Sequence, residues 1–194
     1  MNALSKKTAI ITGSSKGIGQ ATAVLLSKNG VNVVVHYLQD AKGADHTVQQ
    51  IEQNGGKAIA VQADVSKPNE IKHLFDAAIS RFGAVDILVN NAGIILYKNI
   101  KDITEEDLDQ VFSINVKSIF FAMKEAALRM ADNGRVINIS STTTRTLFPT
   151  YGLYSASKAA VEQATKVFAK EMGPRGICVN AVLPGPTKTK LLLT

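Results

Sequence analysis

Tyr154 and Lys158 stand four residues apart in Tyr151-Gly-Leu-Tyr-Ser-Ala-Ser-Lys-Ala-Ala160, at the start of a long helical pattern. On a helix that spacing puts both side chains on one face, close enough to interact. A phenol ordinarily titrates near 10 and is a reluctant proton exchanger at neutral pH. An ammonium about 5 Å away, at an effective dielectric of about 20, favours the phenolate by about 3 kcal/mol. Such a pair is expected to bring the phenol toward working pH and to pass a proton to or from a carbonyl or alcohol oxygen. The competing reading has Tyr154 packed in the core and Lys158 in water. Tyr97 and Lys101 repeat the spacing, but they lie in the polar stretch Tyr-Lys-Asn-Ile-Lys-Asp ahead of a helix start, with no buried helical face.

The rest of the chain supplies what such a pair needs. Thr8-Ala-Ile-Ile-Thr12 reads as a buried strand that stops at Gly13, and Gly13-Ser-Ser-Lys-Gly-Ile-Gly19 leads into helical periodicity from Gln20 to Lys28. Strand, glycine loop and helix are how a parallel sheet offers a helix N-terminus to a pyrophosphate. The spacing of Gly13, Gly17 and Gly19 is neither the commoner dinucleotide pattern nor a P-loop, so a plain tight turn stays open. A second strand spans Val31 to Tyr37. No acid follows it before Asp40, while Lys16 in the loop is placed to meet a 2′-phosphate. These residues favour NADP, with NAD the alternative.

Helices are expected over Ala41–Gln53, Pro68–Phe82, Thr104–Met130 and Tyr151–Met172, the third opening on the capping pattern Thr104-Glu-Glu-Asp107. Strands are expected over Lys57–Gln62, Asp86–Asn90, Arg135–Ser140 and Ile177–Val182. This alternation predicts one α/β domain: a doubly wound parallel sheet of Rossmann type with helices on both faces.

The chain of 194 residues is 45% hydrophobic and 20% charged, with a formal charge of +6. Its basic residues are scattered among acids, which points away from nucleic acid and leaves a mildly basic surface. A lone Cys178 excludes an internal disulfide and fits a reducing compartment. No apolar run reads as a signal peptide or a membrane span, so the expected location is cytoplasmic. The histidines, at positions 36, 46 and 73, do not cluster with acids or Cys178, and no metal is expected.

Three motifs occur in order, each at a strand's end or on the helix after it: Thr12-Gly-x-x-x-Gly-x-Gly19, Asn90-Asn-Ala-Gly93 and Tyr154-x-x-x-Lys158. Together, over nearly the whole chain, they resemble the short-chain dehydrogenase/reductase family. The resemblance implies a proton donor in Tyr154, a lysine in Lys158 that also holds the nicotinamide ribose, and a carbonyl-binding hydroxyl in Ser141, thirteen residues before Tyr154. Ser140 is the rival for that role. Ala84 stands at the equivalent distance before Tyr97 and disqualifies the decoy pair. Asn115 matches an asparagine that holds a relay water. The resemblance also implies cofactor contacts from Gly13, Ser15, Lys16, Gly17, Ile18, Gly19 and Tyr37. Further ones come from Asp64 and Val65 at the adenine, from Asn91, Ala92 and Gly93 along the middle, and from Pro184, Gly185 and Thr187 at the nicotinamide.

Within the family the chain most resembles 3-oxoacyl-carrier-protein reductases and related sugar or aldehyde reductases. The implied reaction is reversible reduction of a small ketone or aldehyde, or of an acyl chain on an acidic carrier protein. A homo-oligomer is the implied assembly, and a catalytically silent NADP-binding scaffold is the alternative. Family members usually continue through a lid, a further helix and a seventh strand; residues 1–194 end short of these, with 184–189 reading as the start of a lid and the chain as incomplete.

Overall fold

Val33, Val34 and Val35 sit mid-strand and are fully buried, because a strand covered on both faces has no polar side to alternate with. A computed structural model describes residues 4–189. Six parallel strands form one sheet in the order β3-β2-β1-β4-β5-β6: β1 (Thr8–Ile11), β2 (Asn32–Tyr37), β3 (Ala58–Gln62), β4 (Ile87–Asn90), β5 (Arg135–Ile139) and β6 (Cys178–Val182). The expected doubly wound Rossmann-type sheet is present.

Alternate residues feed two cores. Ile10 pairs in register with Val34 and Leu88, and these pack with Val136, Phe75, Ile119 and Val161 on one face. Ala9, Ile11, Val33, Val35 and Val89 pack with Ala23, Ala44 and Ile51 on the other. The first face is covered by α3 (Pro68–Phe82), α5 (Ser118–Arg129) and α6 (Gly152–Met172), the second by α1 (Gly17–Lys28) and α2 (Ala41–Gln53). Each fully buried Val or Ile stabilises by about 2 kcal/mol before its entropy cost. Among the described residues, no helix is long and apolar enough to cross a membrane.

Two expectations about helices are corrected. α1 begins at Gly17, not Gln20, because the glycine loop itself winds into the first turn. The single helix expected from Thr104 to Met130 is three pieces: α4 (Glu105–Phe112), a π turn at Ser113–Lys117, and α5. The Thr104–Asp107 capping box is present, with Asp107 Oδ2 accepting from the Thr104 N–H at 2.9 Å. Apolar periodicity continues across the π turn, so nothing in the pattern marks the break.

The strand order reverses direction of growth between β1 and β4, and the loops after those two strands meet there. Thr12 Oγ1 accepts from the N–H groups of Asn91 at 2.9 Å and Ala92 at 3.0 Å. Asn91 Nδ2 returns bonds to the carbonyls of Thr12 and Gly13, at 2.9 and 3.0 Å. In open α/β sheets ligands bind at this switch point, outside the carboxyl ends of the strands.

Candidate active site

The glycine loop after β1 is held from three sides. Gly13 takes φ +65° and Gly17 φ +60°, a left-handed conformation that side chains resist. A Cβ on Gly19 would stand 2.5 Å from the Gly13 carbonyl and 2.6 Å from Asn91 Nδ2. His36, on β2, accepts from the Gly13 N–H through Nδ1 at 2.8 Å and meets the Ala63 carbonyl through Nε2 at 2.9 Å. Those partners require the neutral ring with its proton on Nε2. Burial pushes the imidazole below its usual range, against the raising effects of the Ala63 bond and the Asp64 charge.

The loop backbone is therefore bare and close-packed on the sheet, the cradle a pyrophosphate needs at the start of α1. Lys16 stands exposed at the N-cap of α1. Tyr37 ends β2 half-buried, and the first acid after it, Asp40, caps α2 by accepting from the Gly43 N–H at 3.1 Å. A dinucleotide with a 2′-phosphate thus fits the residues present.

A cleft of about 340 Å³ opens beside the loop, and it gathers Ile18, Asn91, Gly93, Ser141, Tyr154 and Lys158 with Pro184, Gly185 and Thr187. Asp64 and Val65 are outside it: the carboxylate accepts from the Ser66 N–H and hydroxyl at 3.0 and 2.7 Å, and Val65 packs in the core.

Tyr154 and Lys158 both face the cleft from α6, with Nζ 5.8 Å from the phenol ring centroid. Lys158 donates to the Ile139 carbonyl at 2.8 Å. Burial pulls its ammonium down to about 8. The expected lowering of the phenol is corrected. Burial pushes Tyr154 above its ordinary value, and its bond with the Ser141 hydroxyl offsets only part of that. The ammonium is itself poorly solvated and is turned toward a backbone carbonyl, so it does little for the phenolate.

Of the rival serines, Ser140 is buried against α6, its hydroxyl donating to Glu162 Oε1 at 2.8 Å. Ser141 is the one beside the phenol; its oxygen also accepts from the Thr143 N–H at 3.2 Å. Asn115 lies fully buried in the π turn. Its Nδ2 donates to the Ile94 carbonyl at 2.9 Å and to Ser157 Oγ at 3.0 Å, while Oδ1 accepts from the Ile94 N–H at 2.9 Å. The side chain is a satisfied clamp. It flanks Gly93, where a Cβ would stand 3.1 Å from Asn115 Oδ1 and 3.3 Å from Lys158 Nζ.

Sequence reasoning placed Thr12 in a motif without giving it a role, missed His36 and Glu162, and set Tyr97 aside although Tyr97 lines the cleft. A histidine inside the apolar run of β2 was the available signal for His36.

The pattern described as short chain dehydrogenase matches residues 7–193. The chain belongs to the short-chain dehydrogenase family. As a member it is an oxidoreductase. It is 42% identical over 189 residues to the short chain dehydrogenase claC of Passalora fulva, covering 97% of this chain and 71% of that one. It is 44% identical to an NADPH-dependent aldehyde reductase-like chloroplastic protein of Arabidopsis thaliana, covering 97% and 75%. A crystal structure of a short chain dehydrogenase from Burkholderia cenocepacia in complex with NADP superposes with a TM-score of 0.94 at 40% identity, covering 98% of this chain and 78% of that one.

Proposed function

We propose that this chain reduces a ketone or aldehyde to an alcohol, reversibly, with NADPH as the hydride source. The observation that carries the reading is Tyr154 and Ser141 side by side in one cleft, next to a glycine cradle, with the first acid after β2 spent on capping α2. The NADP in the Burkholderia cenocepacia structure and the cofactor named for the Arabidopsis thaliana relative support NADP over NAD.

Gly13, Ser15, Gly17, Ile18 and Gly19 would hold the pyrophosphate, with Lys16 at the 2′-phosphate and Tyr37 near the adenosine. Asn91 to Gly93, Lys158, Pro184, Gly185 and Thr187 would line the nicotinamide half. Asp64 and Val65 would meet the adenine mainly through backbone. When bound, the reduced nicotinamide supplies the hydride that adds to the carbonyl carbon.

Tyr154, kept protonated at neutral pH by burial, donates its proton to the carbonyl oxygen. The Ser141 hydroxyl steadies the negative charge that develops there. Lys158, titrating near 8, stands ready to return a proton toward Tyr154. Asn115 serves by position: it pins Ile94 and Ser157 and keeps the wall of the relay in place, where a water beside Lys158 completes it.

The test is NADPH consumption against a ketone panel, run beside NADH, with Tyr154→Phe as control. Turnover should fall by about 10²–10⁴-fold in the variant while NADPH affinity barely moves. A variant with near-full rate sinks the acid assignment. Wild-type binding of NADPH without turnover of any ketone would favour the silent scaffold.

A second reading, reduction of a 3-oxoacyl thioester on an acidic carrier, is favoured by the +6 balance. Homo-oligomer formation belongs to the same proposal, since Leu108 of α4 and Phe120 and Leu128 of α5 are exposed. Sedimentation tests it. Residues 184–189, expected to start a lid, contribute Pro184 to Thr187 and Thr189 to the lining of the cleft.

A further inference from the structure

Three aromatic rings meet in the cleft that holds Tyr154. Tyr97 stands edge-on to Tyr151, with centroids 4.9 Å apart at 75°, and Phe148 lies 5.7 Å from Tyr151 at 51°. Such tilted pairs leave ring faces free for a further aromatic partner. Tyr97 is 41% and Phe148 54% exposed, so the wall presents apolar area to solvent that the fold does not use.

The wall is held in shape. The Lys98 N–H donates to the Thr150 carbonyl at 2.9 Å, tying the segment of Tyr97 to that of Phe148 and Tyr151. Thr150 has φ +70°, a costly conformation for a β-branched residue. It bends the chain between Phe148 and Tyr151, whose rings face the same cleft.

Charge narrows the ligand further. Among the described residues lining the cleft, Lys158 is the only charged one, and its ammonium is bonded to Ile139. Two cations on the flanking segments are engaged elsewhere: Arg145 with Glu162 at 2.6 Å, Lys98 with Asp107 at 2.5 Å. Among the described lining residues an anionic substrate therefore finds only Lys158, already turned to a backbone carbonyl, to hold its carboxylate or phosphate.

We propose that the cleft takes a planar, uncharged aryl ketone, its ring system against Tyr97, Phe148 and Tyr151 and its carbonyl toward Tyr154 and Ser141. Tyr97 and Phe148 are then specificity-determining residues. The proposal rests on the carbonyl-reductase reading. In the step, a hydride from NADPH forms the new C–H bond and the carbonyl π pair takes the Tyr154 proton. The products are a secondary alcohol and NADP⁺, and the phenolate recovers a solvent proton by way of Lys158.

The test uses the full chain, saturating NADPH and two methyl ketones of equal carbon count, planar 2-acetonaphthone and flexible 2-dodecanone. Acetoacetyl-N-acetylcysteamine stands for the 3-oxoacyl thioester. The kcat/KM for 2-acetonaphthone should exceed the other two by about tenfold or more, the order expected of an aromatic contact plus its buried area. Tyr97→Ala and Phe148→Ala should each erase most of that margin, raising KM for 2-acetonaphthone well beyond any rise for 2-dodecanone, and should preserve NADPH affinity. Tyr97→Phe should keep the preference. Equal or better turnover of 2-dodecanone or the thioester, or alanine variants that do not discriminate, would overturn the substrate class and leave the reductase reading standing. Failure to reduce any ketone while NADPH binds would remove both.

Discussion

Ser140 and Glu162 are joined across the gap between β5 and α6, the serine hydroxyl donating to Oε1 at 2.8 Å while Arg145 holds the other carboxylate oxygen at 2.6 Å. Ser141 is carried by the segment after β5, and Tyr154 and Lys158 by α6. The buried carboxylate is thus the rivet between the two halves of the candidate site. Burial pushes Glu162 up, but bonds from Thr144, Ser140 and Arg145 outweigh it and hold the carboxyl below its usual range.

Glu162→Ala should lose about 1–2 kcal/mol in urea unfolding, because Ser140 loses its shorter acceptor while the exposed Arg145 returns to water. Glu162→Gln should lose less. A depressed carboxyl contributes stability above its ordinary value near 4.3 and gives it up as pH falls through the folded one. The wild type should accordingly shed that margin in acid, and Glu162→Gln should not. Identical acid slopes would show that the carboxylate is not held.

Lys158 has the opposite charge and its own window. Its folded value of about 8 lies beneath the ordinary 10.4, so between those limits the unfolded chain binds the extra proton. Stability should rise with pH across that window. In Lys158→Met the rise should be missing. Unfolding curves from about pH 7 to 10.5 that stay parallel in the two proteins would contradict the burial of an ionisable amine.

His36 makes cradle geometry depend on protonation. An added proton on Nδ1 would face the Gly13 N–H donor. With its folded value lowered, the ring supports the fold above about 6.5 and loses that support as pH drops below it. NADP⁺ affinity, followed by calorimetry, should hold through the ordinary imidazole range and weaken only at lower pH, where the buried ring takes up its proton. In His36→Ala it should start about tenfold weaker, for one lost backbone contact, and stay flat with pH.

Gly19→Ala should destabilise by about 2 kcal/mol and weaken NADP⁺ binding, since the new methyl meets the Gly13 carbonyl and Asn91. Gly173→Ala is the control. Nothing lies within 4 Å of that Cβ, and φ −50° suits alanine. Equal thermal shifts for the two would mean that the loop relaxes freely.

The sheet and the helices α2 and α3 were legible in the sequence because their signals are local: Asn54-Gly55 and Gly83 stop helices, and Val33–Val35 read as buried strand. Tyr154 and Lys158 were legible because a four-residue spacing survives folding on one helix, whereas Ser141 was reached only through the family resemblance, its neighbour Ser140 being an equal candidate by type. His36, Glu162 and Tyr97 were not, since each acquires its partners from a distant segment. Asn115 shows the middle case: the residue could be singled out, but the π turn that buries it leaves apolar periodicity intact. The misjudged direction of Tyr154 has the same origin, because spacing gives a neighbour's charge and not how dry the pair is.

Five residues wound as a π turn put α4 and α5 out of phase by about 100°, one residue's worth of rotation. Excising a single residue there would straighten the rod, swing Asn115 off Ile94 and loosen the wall around Gly93. Hydropathy and charge would hardly register the change. Along this stretch, residue count itself is what keeps the candidate site in focus.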